Sequence, residues 1–180
     1  MTDENLWLED IHGEAPLKWA AEQSEATRAR FASPAFEELS SRILEVIDSE
    51  DRIPIVSRHG SHYYNFWRDR EHPRGLWRRT TLESYRSADT DWELLLDVDE
   101  LGRNEGLQWV FSGAKLLPHD YTRALVALSP DGGDAVTVRE FDLPSRSFVP
   151  DGFIVPTAKS EYCWIDHDTI YLGTDFGPAA

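Results

Sequence analysis

Serine and histidine side chains are the residues of this chain whose chemistry could support hydrolysis. The serine nucleophile of an α/β-hydrolase lies on a strand-to-helix elbow with the pattern G-x-S-x-G. Ser61 follows Gly60 and Ser112 precedes Gly113, but neither serine has a second glycine at the required spacing. The sequence therefore assigns no catalytic residue and no hydrolytic chemistry to these 180 residues.

Histidines and acids are also the side chains that could hold a metal. His59, His62 and His72 lie close in sequence, but they lack the i, i+4 spacing of a helical zinc site and have no flanking cysteines. Asp97, Asp99 and Glu100 resemble a fragment of a calcium loop, but the glycine and terminal glutamate of the full pattern are missing. We expect turn histidines and a solvated strand end, with no metal and no cofactor.

Paired acids, the single cysteine and the tryptophans could also take part in catalysis or ligand binding. The acids Glu9-Asp10 and Asp166/Asp168 could pair for glycoside hydrolysis, but adjacent acids are common in so acidic a chain, and a structural role is favoured. Cys163 has no neighbouring cation to activate its thiol, so we expect a small buried hydrophobic residue. Tryptophans could stack on a sugar or peptide, yet at strand positions they more often fill the interior; they are Trp7, Trp19, Trp67, Trp77, Trp92, Trp109 and Trp164.

Charge and hydropathy exclude several classes of partner. The 33 acids outnumber the 18 lysines and arginines and give a net charge of -15, which argues against nucleic acid and anionic membranes. No stretch approaches the roughly 18 apolar residues of a membrane span. Residues 1–5 carry acids and no secretory signal, and Cys163 has no partner for a disulfide. A cytoplasmic protein is predicted.

The first 50 residues have helical patterning. Apolar residues recur at helical spacing over 14–31, where Pro16 suits a first turn. Ser33 as N-cap and Pro34 as first helical residue predict a second helix that ends before Pro54. We therefore predict a helical segment over residues 1–50.

After Arg52 the apolar residues alternate, which predicts strands and no helix from there to the C-terminus. The predicted strands are 53–58, 62–69, 76–82, 92–98, 108–112, 124–129, 135–142, a short strand near Phe148, 162–166 and 169–174. Four strands within 40 to 50 residues are typical of a propeller blade. The predicted fold is mainly β with a short N-terminal helical segment, in which residues 51–180 form a partial β-propeller of about two blades plus the start of a third. A β-sandwich with a helical hairpin would give similar alternation.

Several segments together resemble the prolyl oligopeptidase family of serine peptidases. The segment Leu6-Trp7-Leu8-Glu9-Asp10, followed by Trp19, resembles the opening of that family. Later segments are similar to its first blade, its second blade and the start of its third, in the same order: 75–81, 92–99, 128–133, 138–142, 164–166 and 174–177. The resemblance spans nearly the whole chain.

This resemblance implies peptide hydrolysis by a complete enzyme, of which the present chain would be only one part. Members of the family have an α/β-hydrolase domain with a Ser, Asp and His triad, capped by a propeller that admits small peptides, which are commonly cleaved after proline. The triad lies in the C-terminal domain, so no residue up to Ala180 inherits a catalytic role. The helices of residues 1–50 would be a strap that packs on the hydrolase domain.

The sequence is compatible with two functions. In the first, the chain is the N-terminal portion of such a peptidase, inactive alone, whose partner is the missing hydrolase portion and whose peptide substrate binds only to the complete enzyme. In the second, it is a non-enzymatic β-rich binding module that associates with a partner, or with itself, through open sheet edges. Neither hypothesis involves nucleic acid or a membrane.

Overall fold

The computed structural model describes residues 3–10, 12–49 and 51–174. They divide into a helical unit within residues 1–49 and a β-rich unit within residues 50–180. The chain is mainly β with N-terminal helices, as the sequence predicts. Residues 175–177, the end of the last segment that resembles the peptidase family, lie outside the described residues.

The helical unit contains a 3₁₀ turn at Leu6–Glu9 and two helices, α1 at Glu14–Phe31 and α2 at Pro34–Ile47. The Ser33 hydroxyl accepts a hydrogen bond of 3.2 Å from the backbone N–H of Phe36, which satisfies one free donor of the first turn. Both predicted helices are confirmed, including the serine cap and the proline at the first helical position.

Four antiparallel strands form the first blade in the order β1-β2-β3-β4. They are β1 at Ser57–His59, β2 at His62–Trp67, β3 at Leu76–Thr81 and β4 at Glu93–Asp97. The prediction that the first strand begins at residue 53 is wrong. The Asn65 side-chain amide donates to the Ile55 carbonyl at 2.8 Å, so this segment is held by a side chain and not by strand pairing.

The second blade has three long strands and two short ones. They are β5 at Trp109–Leu116, β6 at Arg123–Pro130, β7 at Val136–Asp142, β8 at Ser147–Phe148 and β9 at Ile154–Ala158. Both β8 and β9 pair with β7, at its two ends. The strand β9 was not predicted, because its Pro156 and mostly exposed residues hide the alternating pattern.

A hairpin follows the second blade. Its strands are β10 at Glu161–Asp166 and β11 at Thr169–Gly173, and they pair antiparallel. His167 and Asp168 link them, as predicted. The described part of the chain thus contains two blades and the start of a third.

Two short helices correct the prediction that no helix follows Arg52. They are α3 at Leu82–Tyr85 and α4 at Val98–Glu105. The Asp97 carboxylate caps α4 by accepting from the Glu100 N–H at 2.9 Å. Gly106 ends it with a φ of 68°, the left-handed conformation that favours glycine. At four and eight residues, these helices are too short to show helical periodicity.

The strand β6 is covered on both faces. Ala124, Val126 and Leu128 belong to a core shared with the first blade, whereas Leu125 belongs to a core shared with the hairpin. Because side chains alternate across a strand, this strand lies between two other sheets. A sandwich sheet buries one face, so the double coverage of β6 is the packing of a propeller blade.

No helix in the described part of the chain is both long and apolar enough to cross a membrane.

Candidate functional site

The serines that the sequence singled out do not form a catalytic site. The Ser61 hydroxyl lies 3.2 Å from His62 Nδ1 in the turn between β1 and β2. Among the described residues, no carboxylate forms a hydrogen bond with His62, so this serine and histidine lack the third member of a triad. Burial and the cationic Arg79 lower the pKa of His62 and favour its neutral form. Ser112 lies within β5.

The other two histidines that the sequence analysis considered as metal ligands, His59 and His72, have structural contacts. The His59 ring lies against Tyr64 and Tyr121, with ring centroids 5.5 and 6.0 Å apart. His72 Nδ1 lies 3.0 Å from the Asp69 carboxylate. Within the described residues, no group of three or more histidine, cysteine or acidic side chains could hold a metal ion.

Two of the acids considered above as metal ligands or catalytic acids accept hydrogen bonds from backbone N–H groups. The Asp99 carboxylate accepts hydrogen bonds from the N–H groups of Arg74 and Gly75, at 2.9 and 3.2 Å, where β3 begins. Asp166 accepts from the Asp168 N–H at 3.0 Å in the hairpin turn. Glu9 and Asp10 belong to the helical unit. None of these acids forms a pair poised for acid–base catalysis.

Cys163 is exposed, which contradicts the prediction that it is buried. Its neighbour Trp164 is buried in the core shared with the second blade, and the indole N–H donates to the Lys115 carbonyl at 2.8 Å. Because neighbouring residues on a strand point to opposite faces, Cys163 lies on the outer face of the hairpin with its cross-strand partner Tyr171.

The tryptophans divide between the interior and the surface. Trp77, Trp109 and Trp164 are buried and fill the space between sheets, as predicted. Trp7 and Trp19 are exposed on the helical unit and meet edge to face, with ring centroids 6.3 Å apart. The remaining two, Trp67 and Trp92, are half-buried on the first blade.

These two tryptophans belong to a continuous stack of arginines and aromatic rings, which we call the arginine–aromatic stack. The Arg78 guanidinium lies between the Trp67 and Trp92 rings, 4.7 and 4.2 Å from their centroids. The Arg52 guanidinium also lies over the Trp67 ring, 4.5 Å from its centroid. Beyond Trp92 lies Tyr85, whose ring meets the indole edge to face with centroids 6.3 Å apart.

The stack lies on the face of the first blade that points away from the second blade. Tyr64 and Phe66 of β2 pack in the core between the blades, so the alternating residues Tyr63 and Trp67 lie on the opposite face. Tyr63 stacks on Tyr85 with nearly parallel rings 6.2 Å apart. We call this surface the outer face of the first blade.

Arg78 is the centre of this stack. Its Nε donates to the Asn65 amide oxygen at 2.9 Å. Among the described residues, no carboxylate forms an ion pair with it. Burial lowers the pKa of Arg78 to about 10, although the charge of Asp69 acts in the opposite direction. A partly desolvated guanidinium held between two indoles is a geometry that favours binding of a carboxylate.

Arginines are concentrated in the part of the first blade that precedes residue 80, whereas the whole blade, Ser57–Asp97, has seven arginines and seven acids. Residues 52–79 contain seven arginines and only two acids, although the whole chain carries a net charge of -15. A local excess of one sign creates a field that attracts a partner of opposite sign. The arginine–aromatic stack could not be predicted from the sequence. Its members Arg52, Trp67, Arg78 and Trp92 come from four separate segments, so their spacing gives no signal.

The helical unit has a second candidate surface. The apolar side chains of α2 form a stripe whose members are each at least half exposed: Phe36, Leu39, Ile43, Leu44, Val46 and Ile47. A helix with such a stripe gains stability when the stripe packs on another element. No side chain of α1 or α2 is buried in the described structure.

The strand order and double-sided packing define this chain as part of a β-propeller. A family model described as "Prolyl oligopeptidase, N-terminal beta-propeller domain" matches residues 1–175. The chain belongs to the prolyl oligopeptidase family, as the sequence resemblance predicted.

Two curated relatives are similar over nearly the whole chain. An uncharacterized peptidase, y4nA, from Sinorhizobium fredii is 38% identical over 98% of this chain and 25% of its own length. An uncharacterized peptidase, RP174, from Rickettsia prowazekii is 33% identical over 93% of this chain and 24% of its own length. The chain therefore spans about a quarter of the length of the curated relatives that it matches.

Solved structures agree with this fold. A post-proline cleaving enzyme from Rickettsia typhi is 30% identical, has a TM-score of 0.83, and is matched over 93% of this chain and 26% of that one. A structure from a study of two prolyl endopeptidases is 17% identical with a TM-score of 0.65, over 91% of this chain and 23% of that one. At that identity the second match supports the fold alone.

Proposed function

We propose that this chain is the N-terminal propeller portion of a prolyl-oligopeptidase-type serine peptidase that hydrolyses short peptides, with cleavage after proline. The observation that carries the proposal is β6, whose two faces are buried against a blade on one side and a hairpin on the other. This packing is that of a propeller blade, and the relative from Rickettsia typhi is described as a post-proline cleaving enzyme.

In this proposal the peptide bond is cleaved by a hydrolase portion that the described residues do not contain. The serine, histidine and acid of that portion would form the acyl-enzyme and then hydrolyse it. The propeller would restrict which peptides reach them. We propose a cytoplasmic location for the complete enzyme, consistent with a chain that has one cysteine.

The exposed stripe on α2 supports a hydrolase portion as the partner of the helical unit. Its six apolar side chains are solvent-exposed here, and each would lose its contact with water on docking. Residues 1–49 form a compact unit distinct from the blades, as a strap would. In this proposal α2 packs on the hydrolase portion through that stripe.

A chimera tests the proposed function. The matching quarter of the post-proline cleaving enzyme from Rickettsia typhi is replaced with this chain, and hydrolysis of a chromogenic peptide with proline before the scissile bond is measured. We expect the chimera to cleave it, and the control chimera with its nucleophilic serine replaced by alanine to be inactive. A chimera that melts as cooperatively as the parent enzyme but does not cleave would contradict the proposal.

The second candidate is a non-enzymatic binding module that associates through open sheet edges. The observation that favours it is β11, which within the described residues pairs only with β10 and so presents a free edge. A partner strand that adds to this edge would protect the backbone amides of Thr169–Gly173 from hydrogen exchange. The two candidates are separated by the chimera, since a pure binding module would not restore cleavage.

A further inference from the structure

A cleft opens at one end of the first two blades. Because neighbouring strands are antiparallel, β1 and β3 begin at this end, and β2 and β4 finish there. The side chain of Arg74, just before β3, donates to that of Gln108, just before β5, at 3.0 Å, so the second blade begins at the same end. The residues that precede β1 also lead into the sheet here. We call it the entry end.

The cleft at the entry end has a volume of about 680 Å³ and is formed entirely by the first two blades and α4 between them. Pro73, Leu107 and Trp109 provide apolar surface, and Gly102 and Gly106 leave the cleft open because they have no side chains. Apolar walls combined with a few convergent polar groups are typical of a binding site.

The cations of the cleft are two arginines, Arg74 before β3 and Arg103 in the last turn of α4. Among the described residues, no acid forms an ion pair with either guanidinium. The third charged group of the lining is the Asp99 carboxylate, which accepts hydrogen bonds from the backbone N–H groups of Arg74 and Gly75. Two arginines and one aspartate give the lining one net positive charge, in a chain whose net charge is -15.

Arg74 is held in place before any ligand binds. Asp99 fixes its backbone, and Gln108 fixes its guanidinium by accepting from Nη2. The loop that leads to it is also ordered, because the Asp69 carboxylate accepts from two backbone N–H groups of that loop, at 2.9 and 2.7 Å. A guanidinium with a fixed orientation loses little side-chain freedom when it binds a carboxylate.

We propose that this cleft binds the C-terminal carboxylate of a peptide substrate, which pairs with Arg74 and Arg103 while the last side chain of the peptide packs on the apolar wall. This assignment rests on the proposed function and adds that the hydrolase portion lies at the entry end, where residues 1–49 lead into the propeller. The peptide is then cleaved after a proline that precedes this carboxylate by a few residues. The two arginines determine specificity and take no part in bond cleavage.

Binding to the full 180-residue chain tests the site without catalysis. The probe is acetyl-Ala-Ala-Phe with a free C-terminal carboxylate, and the control probe is the same peptide as its C-terminal amide. In nuclear magnetic resonance spectra we expect the free acid, at millimolar concentration, to shift the side-chain N–H resonances of Arg74 and Arg103, and the amide to leave them unchanged. The shifts should weaken as salt is added. Equal shifts from both peptides, or none from the free acid, would overturn the proposal.

Substitution of the arginines tests their roles one at a time. Arg74→Gln and Arg103→Gln should each weaken binding of the free acid by about fivefold, the effect of one charged contact open to solvent. Arg74→Lys keeps the charge without the planar fork and should bind with intermediate affinity. The matched control is Arg86→Gln, exposed after α3 at the opposite end of the first blade, which should bind like the wild type. Circular dichroism checks that each variant folds. Equal binding by Arg74→Gln and Arg86→Gln would contradict the assignment.

Hydrolysis by the chimera with the post-proline cleaving enzyme separates this site from the proposed function. Its substrates are acetyl-Gly-Pro peptides with two, three or four residues after the proline, each as the free acid and as the amide. We expect kcat/KM to be about fivefold higher for the free acid at one or more lengths, and Arg74→Gln to abolish that preference. A chimera that cleaves none of the peptides contradicts the peptidase proposal, and this site with it. A chimera that cleaves acid and amide equally at every length overturns the carboxylate site alone.

Discussion

Trp77 of the first blade and Phe141 of the second meet edge to face, with ring centroids 5.5 Å apart and planes inclined by 62°. Trp77 is 3% exposed and Phe141 is completely buried. Phe111 joins the contact, 5.9 Å from Trp77. The two blades therefore share one aromatic core, and the free energy of unfolding of each depends on the other.

Replacement of Trp77 tests this shared core. Trp77→Ala removes a buried indole between the blades and should lower the free energy of unfolding by about 3–5 kcal/mol. Urea denaturation followed by circular dichroism measures the loss. Trp7→Ala, at an exposed ring of the helical unit, is the control and should change the β-sheet transition by less than about 0.5 kcal/mol. Similar effects of both variants would contradict the shared core.

Gly75 should tolerate no side chain. Its φ is +102°, and a Cβ there would lie 2.5 Å from the Phe66 ring. Gly75→Ala combines a strained backbone with a clash in the core, and we expect a loss of about 2 kcal/mol or more. Gly133→Ala is the matched control, because a Cβ at Gly133 meets no atom within 4 Å. Equal melting temperatures for the two variants would disprove this assignment.

Asp99 should contribute to the stability of the fold through its hydrogen bonds to the backbone and not by binding a metal. Its carboxylate accepts from the N–H groups of Arg74 and Gly75. Asp99→Ala leaves both donors without that partner and should cost about 1–3 kcal/mol in thermal denaturation. Adding or chelating calcium should not change the melting temperature of the wild type. A calcium-dependent shift that Asp99→Ala abolishes would show that the acid binds metal instead.

The Arg79–Glu93 pair predicts a pH dependence. The hydrogen bond from Arg79, 2.6 Å long, holds the pKa of Glu93 below its usual value of 4.5, against the opposing effect of burial. A lowered pKa means that the stabilisation is complete above pH 4.5 and is lost as pH falls through the lower folded value.

Glu93→Gln should therefore flatten the dependence of stability on pH below 4.5. Because the Glu93 side chain is partly exposed, we expect a difference of less than about 1 kcal/mol. Chemical denaturation at pH 3, 4, 5 and 7 measures it, with Glu83→Gln at an exposed position as control. A Glu93→Gln variant that keeps the wild-type pH profile would argue against the ion pair.

The helices and strands could be predicted from the sequence more completely than the side-chain contacts on the surface. The apolar spacing over residues 14–31 predicts α1, the cap at Ser33 predicts α2, and the change of pattern after Arg52 predicts most of the strands. The helix α4 carried signals too, in Asp97 and Gly106, but the acids were interpreted as a strand end. Helices of so few residues do not develop a periodic apolar stripe.

The outer face of the first blade could not have been predicted from local spacing. Arg78 and Trp67 are neighbours only because β2 and β3 pair, and Trp92 joins them from the segment before β4. The lack of a neighbouring cation predicts an unreactive, buried Cys163, since free cysteines are usually buried. Trp164 takes the inward position instead, and the alternation of the strand then directs Cys163 outward.

The propeller packing of the second blade is tested most directly by comparing Leu125→Ala with Val126→Ala. Both residues are completely buried, and they face opposite sides of β6. The measurement is the free energy of unfolding in urea for each variant. If sheets cover both faces, we expect losses of about 2–5 kcal/mol for Leu125→Ala and about 1–3 kcal/mol for Val126→Ala. If either variant is as stable as the wild type, one face of β6 is solvated, and the chain is a sandwich and not part of a propeller.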